Sequence, residues 1–264
     1  MDWVGGRVGW VEEFPLRSRP NSEDGFADHV ARLLDRIDCR RADSAAECEP
    51  IFRLRYRAYL RDGGIVPNSS GQFSDPYDSI GNVYLFGLHI DGQLASSLRI
   101  HVVSKENPES PTVEVFSDVL QPKIDAGKIL IDTTRFVVDE NLARLHRTLP
   151  YATLRLSGMA AHQFGADYLL AAVRTEHQAF YRRVFRYELV GEARPYPMLT
   201  KPICLMMVNY PNFVEQVHRR YPFFRSTFVE RRLLFERQRA TVQAAAEPAE
   251  SRASRLARTD LRVM

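Results

Sequence analysis

The chain has 264 residues, 45% hydrophobic and 26% charged, the balance of a globular protein with one large domain and appendages, or with two small domains. Its net charge of +3 is too small to indicate nucleic acid as a partner by itself, and no apolar run is long enough to predict a membrane span. Cys39, Cys48 and Cys204 have no metal-ligand or CxxC spacing, and the first residues lack the basic start and apolar core of a signal peptide, so a reducing, cytoplasmic setting is expected.

Residues 1–21 are rich in Gly, Arg and Pro without periodicity and predict a flexible N-terminal arm. Ser22 can cap a helix from Glu23 to about Asp38, with Phe26, Val30, Leu33, Leu34 and Ile37 as its apolar stripe. Cys39 to Asp43 reads as a short edge strand. The next helix starts between Ser44, which forms a capping box with Glu47, and Pro50, and runs to about Arg61. Helical spacing puts Arg55 on the face of Ile51, Phe52 and Tyr59. Arg55 therefore either lays its stem on the core or partners a buried carboxylate. Residues 62–82 form a long loop in which Asp75 and Asp78 flank Pro76 and Tyr77, as turn formers or as functional acids. Too few further ligands lie nearby to predict a metal site.

Val83–Ile90 and Gln93–Val103 are strand-like runs joined by Asp91-Gly92, a hairpin signal. Arg99, Ser97 and His101 share one face of the second strand, either solvated or set against an acid on a neighbouring strand. A short helix is expected within Glu114–Gly127. Ile129–Asp139, ILIDTTRFVVD, is a β-branched strand carrying Asp132 and Arg135, both costly to bury unless paired or used. Regular alternation would send the two to opposite faces, whereas a β-bulge would let both serve one site. The connection 140–149 carries Arg144, His146 and Arg147 and has no glycine. Pro150 opens a helix to about Gln163, closed by Gly165, and Asp167–Val173 reads as a buried strand. Thr175 and Gln178 fit a capping box for the helix HQAFYRRVF. Strands Tyr187–Val190 and Met198–Val208 surround the turn-like ARPYP. Residues 211–239 predict one or two helices interrupted by Pro222, with Thr227 and Glu230 able to cap the second, and residues 240–264 predict a disordered tail. The order gives an α/β domain over 22–210, a mixed central sheet flanked by helices.

Four pieces then stand in sequence: LRYRAYL (54–60), SDPYDS (74–79), SLRI (97–100) with IDTTRF (131–136), and HQAFYRRVFRYELVG (177–191). Together they resemble the autoinducer-synthase branch of the N-acetyltransferase-like (GNAT) fold, which holds acyl-homoserine-lactone synthases and bacterial N-acyl amino acid synthases. The resemblance spans about residues 40–210 and implies a bulge or splay at the central signature strand. It assigns Arg55 and Tyr59 to the family's first helix, Asp75 and Asp78 to its paired loop acids, Arg99 to its strand arginine, and Asp132, Thr134 and Arg135, followed by Phe136, to its signature strand. Tyr181 falls at the tyrosine position of the wider superfamily, although a core tyrosine would look the same.

The implied reaction transfers a fatty acyl chain from a thioester to an α-amine. Asp132 is the first candidate for the base, directly or through water, and Asp78 the second. Tyr181 is the candidate to protonate the departing thiolate, and backbone N–H groups at the bulge to polarise the carbonyl. Arg55, Arg99 and Arg135, with Tyr59, Asp75, Thr134 and Phe136, are the candidate charge network and substrate surface. Lactone synthases carry Glu where Asp132 stands, and a tryptophan after the first helix where this chain reads GGIVPN (63–68). These departures favour a free amino acid over S-adenosylmethionine as acceptor. Coenzyme A-dependent relatives hold pyrophosphate on a Gly-rich turn after the signature strand; its absence favours acyl carrier protein as partner, presenting a phosphopantetheine-linked acyl thioester. Arg144, Arg147, Arg155, Arg182, Arg183 and Arg186 would then form a patch for an acidic carrier, or are simply solvated arginines. No permanently bound cofactor and no metal are expected. The alternatives are a true lactone synthase, a coenzyme A acetyltransferase, and a non-catalytic binding module on the same fold.

Overall fold

The computed structural model describes residues 25–236; the arm at 1–21 and the tail at 240–264 lie outside them. Seven strands form one sheet in the order β1-β2-β3-β4-β5-β7-β6. They are β1 (Ile37–Arg41), β2 (Val83–Ile90), β3 (Gln93–Val103), β4 (Leu130–Val138), β5 (Tyr168–Val173), β6 (Glu188–Arg194) and β7 (Ile203–Asn209). Only β4 and β5 pair in parallel; every other neighbour is antiparallel. The mixed α/β sheet expected from the sequence is therefore present.

Helix α1 (Phe26–Leu34) is shorter than predicted, and β1 starts earlier, because Ile37 leaves the helical stripe to pair with Ile90. Helix α2 (Ala45–Arg61) begins at the Ser44–Glu47 capping box, with Pro50 inside it. The β2–β3 hairpin turns at Asp91 (φ 50°) and Gly92 (φ 82°), the two left-handed positions that a tight hairpin turn demands. The region before β4 holds two helices, α3 (Pro111–Val115) and α4 (Ser117–Asp125). A short α5 (Glu140–Leu145) fills the glycine-free connection. Helix α6 (Leu149–Phe164) ends at Gly165 in the left-handed conformation.

The predicted capping box at Thr175 does not form. A 3-10 turn over Thr175–His177 precedes α7 (Gln178–Phe185), Arg174 takes the cap position, and no side chain closes it. Strand β7 starts at Ile203 rather than Met198, since Met198 has φ 64° and Pro202 cannot donate to a ladder. Helices α8 (Tyr210–Arg220) and α9 (Phe228–Phe235) follow, separated by a 3-10 turn at Pro222–Phe224, and α9 starts at the Thr227–Glu230 capping box.

Helices α1, α6, α7, α8 and α9 bury a large apolar cluster on one sheet face, including Phe86, Leu98, Ile131, Tyr151, Met206 and Phe213. Phe116, Leu120 and Ile124 of α3–α4 pack with Leu130, Leu170 and Leu205 on the other. No helix among the described residues is long and apolar enough to cross a membrane.

Candidate active site

The signature strand breaks its own register. Ser97 of β3 faces Val137, yet Arg99 faces Thr134, so β4 holds one residue more than β3 over this interval. Arg135 sits there at φ 52°, a left-handed conformation that a bulky residue adopts only when its surroundings hold it. The bulge turns Arg135 toward the network on the Asp132 side of the sheet. On its other edge, β4 pairs with β5 only from Leu130–Thr133 to Tyr168–Ala171. Beyond Thr133 the two parallel strands part, and from Thr134 onward the β5-facing edge of β4 has no partner strand.

The loop acids and the three arginines meet beside this bulge. Arg135 donates to Asp75 Oδ2 through Nε (3.0 Å) and Nη2 (2.6 Å). Arg99 Nη1 reaches Asp75 (2.5 Å) and Asp78 (3.0 Å), and its Nε donates to Thr134 Oγ1 (3.0 Å). Arg55 Nη1 donates to Asp78 at 2.7 Å. Aromatic faces complete the clamp: the Arg135 guanidinium lies 4.6 Å from the Phe73 ring centre and 5.7 Å from that of Tyr59. All five charged side chains are buried, and three guanidinium groups face two carboxylates.

This geometry sets the protonation states. Burial alone would raise the Asp75 and Asp78 carboxyls, but Arg99 and Arg135 on the first, and Arg55 and Arg99 on the second, outweigh it and hold both below the usual carboxylate range. Asp78 is thus a committed ion-pair partner, which suits it to the network rather than to the role of base. Asp132 differs. It is fully buried opposite His101, and among the described residues it makes no ion pair and its Oδ2 has no hydrogen-bond partner. Burial pushes its carboxyl up, against the pull of the Ser110 and Thr112 hydroxyls and Arg99. Its Oδ1 accepts from Thr112 Oγ1 at 2.8 Å, and Thr112 Oγ1 lies 3.0 Å from Tyr196 OH.

A cavity of about 200 Å³ opens where β4 and β5 separate. Thr134, Phe136 and Val138 of β4, Ala172 of β5, Tyr181 of α7 and Tyr196 line it, while Asp132 and Asp78 do not. Its rim joins the end of α2 to the β6–β7 connection: Thr200 donates to the carbonyls of Gly63 (2.7 Å) and Gly64 (3.0 Å), and Lys201 Nζ to that of Asp62 (2.7 Å). Arg61, Arg174 and Lys201 outnumber Asp62 on this rim and leave it net positive, with Asp62 paired to Arg61 (3.1 Å) and Arg174 (3.6 Å). A second, apolar cavity of about 40 Å³ shares Thr133 and Tyr181 with the first and runs to Phe213, Val217 and Phe224. Tyr181 is buried at this junction, burial pushes its hydroxyl up, and the hydroxyl has no hydrogen-bond partner among the described residues.

The predicted carrier patch divides. Arg144, Arg147, Arg182, Arg183 and Arg186 are exposed. Arg155 is not available to it: its guanidinium donates to the carbonyls of Phe223 (2.8 Å) and Arg225 (2.7 Å) and to Glu230 (2.8 Å), tying α6 to the C-terminal helices. The start of α5 is occupied by Asp139, whose Oδ1 accepts from the N–H groups of Asn141 (3.1 Å) and Leu142 (3.2 Å). Thr112 and Tyr196 are site residues that periodicity did not flag. Thr112 lies in the short helix α3 and Tyr196 in the β6–β7 connection, and the only hint was a tyrosine between two prolines in ARPYP. Among the described residues no group of three or more His, Cys, Asp or Glu could hold a metal ion.

A protein family described as N-acyl amino acid synthase FeeM matches residues 50–209. The solved structure of FeeM, an N-acyl amino acid synthase from uncultured soil microbes, superposes with a TM-score of 0.58 at 18% identity, covering 69% of this chain and 94% of that one. A CoA-dependent acyl-homoserine lactone synthase, BjaI, with MTA, gives 0.50 at 14% identity over 70% and 89% of the two chains. TofI, in a ternary complex with an inhibitor and MTA, gives 0.50 at 13% identity over 66% and 91%. At these identities the likeness is one of fold, that of GNAT-like acyltransferases. A search of curated proteins finds no match.

Proposed function

The chain belongs to the N-acyl amino acid synthase FeeM family, and from that membership we propose that it moves a fatty acyl group from an acyl-carrier-protein thioester to the α-amine of a free amino acid. The observation that carries this reading is the gap beyond Thr133 and Ala171, where an unpaired strand edge and a cationic rim border one cavity and a second, apolar cavity adjoins it across Thr133 and Tyr181.

Each part has a chemical role. A pantetheine arm threads between β4 and β5, where the free edge of β4 offers backbone N–H groups to its amides and to the thioester carbonyl. The acyl chain enters the apolar cavity between Thr133 and Phe213. The amino acid's carboxylate meets Arg61, Arg174 or Lys201 at the rim. Asp132 takes the ammonium proton, and the raised proton affinity that burial gives it narrows the gap to an amine. The neutral nitrogen attacks the thioester carbonyl, the C–N bond forms and the C–S bond breaks. Tyr181, held protonated by burial beside the gap, donates to the leaving sulfur and recovers a proton from the attacking nitrogen. Arg55, Arg99, Arg135, Asp75 and Asp78 hold the bulge that shapes this space.

Asp139 supports a carrier protein over coenzyme A. It occupies the N–H groups that would otherwise receive a pyrophosphate and adds negative charge there. Exposed Arg144, Arg147, Arg182 and Arg183 complement an acidic carrier. The test is to offer one acyl group on carrier protein and on coenzyme A, with a panel of amino acids and S-adenosylmethionine, and to read product mass. The reading predicts an N-acyl amino acid formed far more efficiently from the carrier. A lactone product, or equal use of coenzyme A, would contradict it.

A further inference from the structure

The acid in this site is walled off from the space in which it is needed. Asp132 is fully buried and does not line the cavity, so an amine bound there has no direct route to it. Two hydroxyls bridge the interval. Tyr196 lines the cavity, its OH lies 3.0 Å from Thr112 Oγ1, and Thr112 lies 2.8 Å from Asp132 Oδ1. We infer that Tyr196 and Thr112 form a proton relay that carries the amine's proton from the cavity to Asp132.

Hydrogen-bond valence fixes the direction of this relay. An ionised carboxylate only accepts, so Thr112 must donate its single hydroxyl proton to Asp132. Thr112 then has none left for Tyr196, and Tyr196 must donate to Thr112. The Tyr196 oxygen is left as an acceptor. When the ammonium gives its proton to that oxygen, Tyr196 passes its own to Thr112 and Thr112 passes its own to Asp132. Nitrogen loses one proton, Asp132 gains one, and both hydroxyls end neutral with their bonds reversed. After product leaves, the same path run backward returns the proton to solvent. No charge rests on either hydroxyl before or after the transfer, although burial and the Asp132 charge keep the Tyr196 phenol strongly protonated.

The groups facing the relay fit this cycle. Arg99 and His101 of β3 face Asp132, with Ser110 and Thr112 before and within α3 and Tyr196 from the β6–β7 connection; around Tyr196 the charged groups are Asp132, Arg135 and Arg99. Burial and Arg99 hold His101 neutral, down to about 3, so it does not compete for the proton near neutral pH. Asp132 is therefore the acceptor at the end of the path.

The relay rests on the acyl-transfer reading, and its test separates the two. Thr112→Val keeps the shape and removes the hydroxyl; Tyr196→Phe removes the other; Thr112→Ser restores the first. With carrier-linked acyl donor and amino acid, the Val and Phe variants are expected to lose about 100-fold in kcat at pH 7. Their KM for the acyl donor should stay near the wild-type value. Their rate should climb about tenfold per pH unit through neutrality and approach wild type at high pH, where the amine is already neutral. Thr112→Ser should recover most of the rate. An active wild type whose variants keep its rate and pH profile overturns the relay alone, as does a Ser variant as impaired as Val. A wild type inert toward every thioester and amine overturns the acyl-transfer reading and the relay with it.

Discussion

Asp75 grips Arg135 with two hydrogen bonds to one carboxylate oxygen, across 60 positions of sequence, and Arg135 is the residue that stands in a left-handed conformation inside β4. The loop acid thus holds the bulge against its backbone cost, which is on the order of 1–3 kcal/mol for such a conformation.

Removing that grip leaves Arg135 and Arg99 buried with one carboxylate where there were two. Asp75→Ala should therefore lose about 3–5 kcal/mol, read as a lower urea midpoint. Asp75→Asn, which keeps the shape but not the charge, should also destabilise, by less. Because Asp75 is held below its unfolded value, its contribution is present above about pH 4 and is lost as pH falls through the folded value. The difference between wild type and Asp75→Asn should shrink in acid. A difference that is constant with pH would contradict the network.

Asp132 should behave with the opposite sign. Its carboxyl is raised, so the folded state loses stability as pH rises through the folded value. Asp132→Asn should melt at or above the wild-type temperature near pH 8 while losing about 10²- to 10⁴-fold in turnover. A variant both inactive and strongly destabilised would make Asp132 a structural ion.

His101 supplies a third acid-dependent signal. Burial, reinforced by Arg99, depresses it to about 3, while an unfolded histidine titrates near 6.5. Stability should fall by about 1.4 kcal/mol per pH unit as pH drops below about 6.5 toward that value. His101→Gln should flatten this limb of a thermal-melt series, and an unchanged slope would show that another group carries it.

The second cavity ends on residues beyond the family match, Phe213, Val217 and Phe224. Val217→Trp should fill it and shift preference toward shorter acyl chains, with little effect on a two-carbon donor. A uniform loss over all chain lengths would place the acyl group elsewhere.

Much of this was legible locally. Asp91-Gly92 dictated its hairpin; Ser44 with Glu47 marked one of two helix starts, the one the structure takes; and the acid and arginine in one apolar strand raised the bulge as an alternative to regular alternation. Arg55 on an apolar helix face left two readings open, and its ion pair with Asp78 selects the buried partner. Boundaries failed where tertiary pairing overrode local pattern, as at Ile37, Thr175 and Met198. Arg155 read as a surface charge because nothing local reports the carbonyls of Phe223 and Arg225 that it caps. Thr112 and Tyr196 stayed hidden because a single hydroxyl in a five-residue helix or in a connection shows no periodicity, and their link to Asp132 exists only once α3 and the β6–β7 connection pack beside β4.

The central claim is that acyl transfer happens in the gap between β4 and β5, and blocking that gap tests it most directly. Ala172 lines the gap, and Ala172→Trp should plug it while the sheet still folds. Thiol release from a carrier-linked acyl thioester, measured on adding amino acid, is predicted to be rapid for wild type and absent for a folded Ala172→Trp variant. Release from the plugged, folded variant at the wild-type rate would contradict the account.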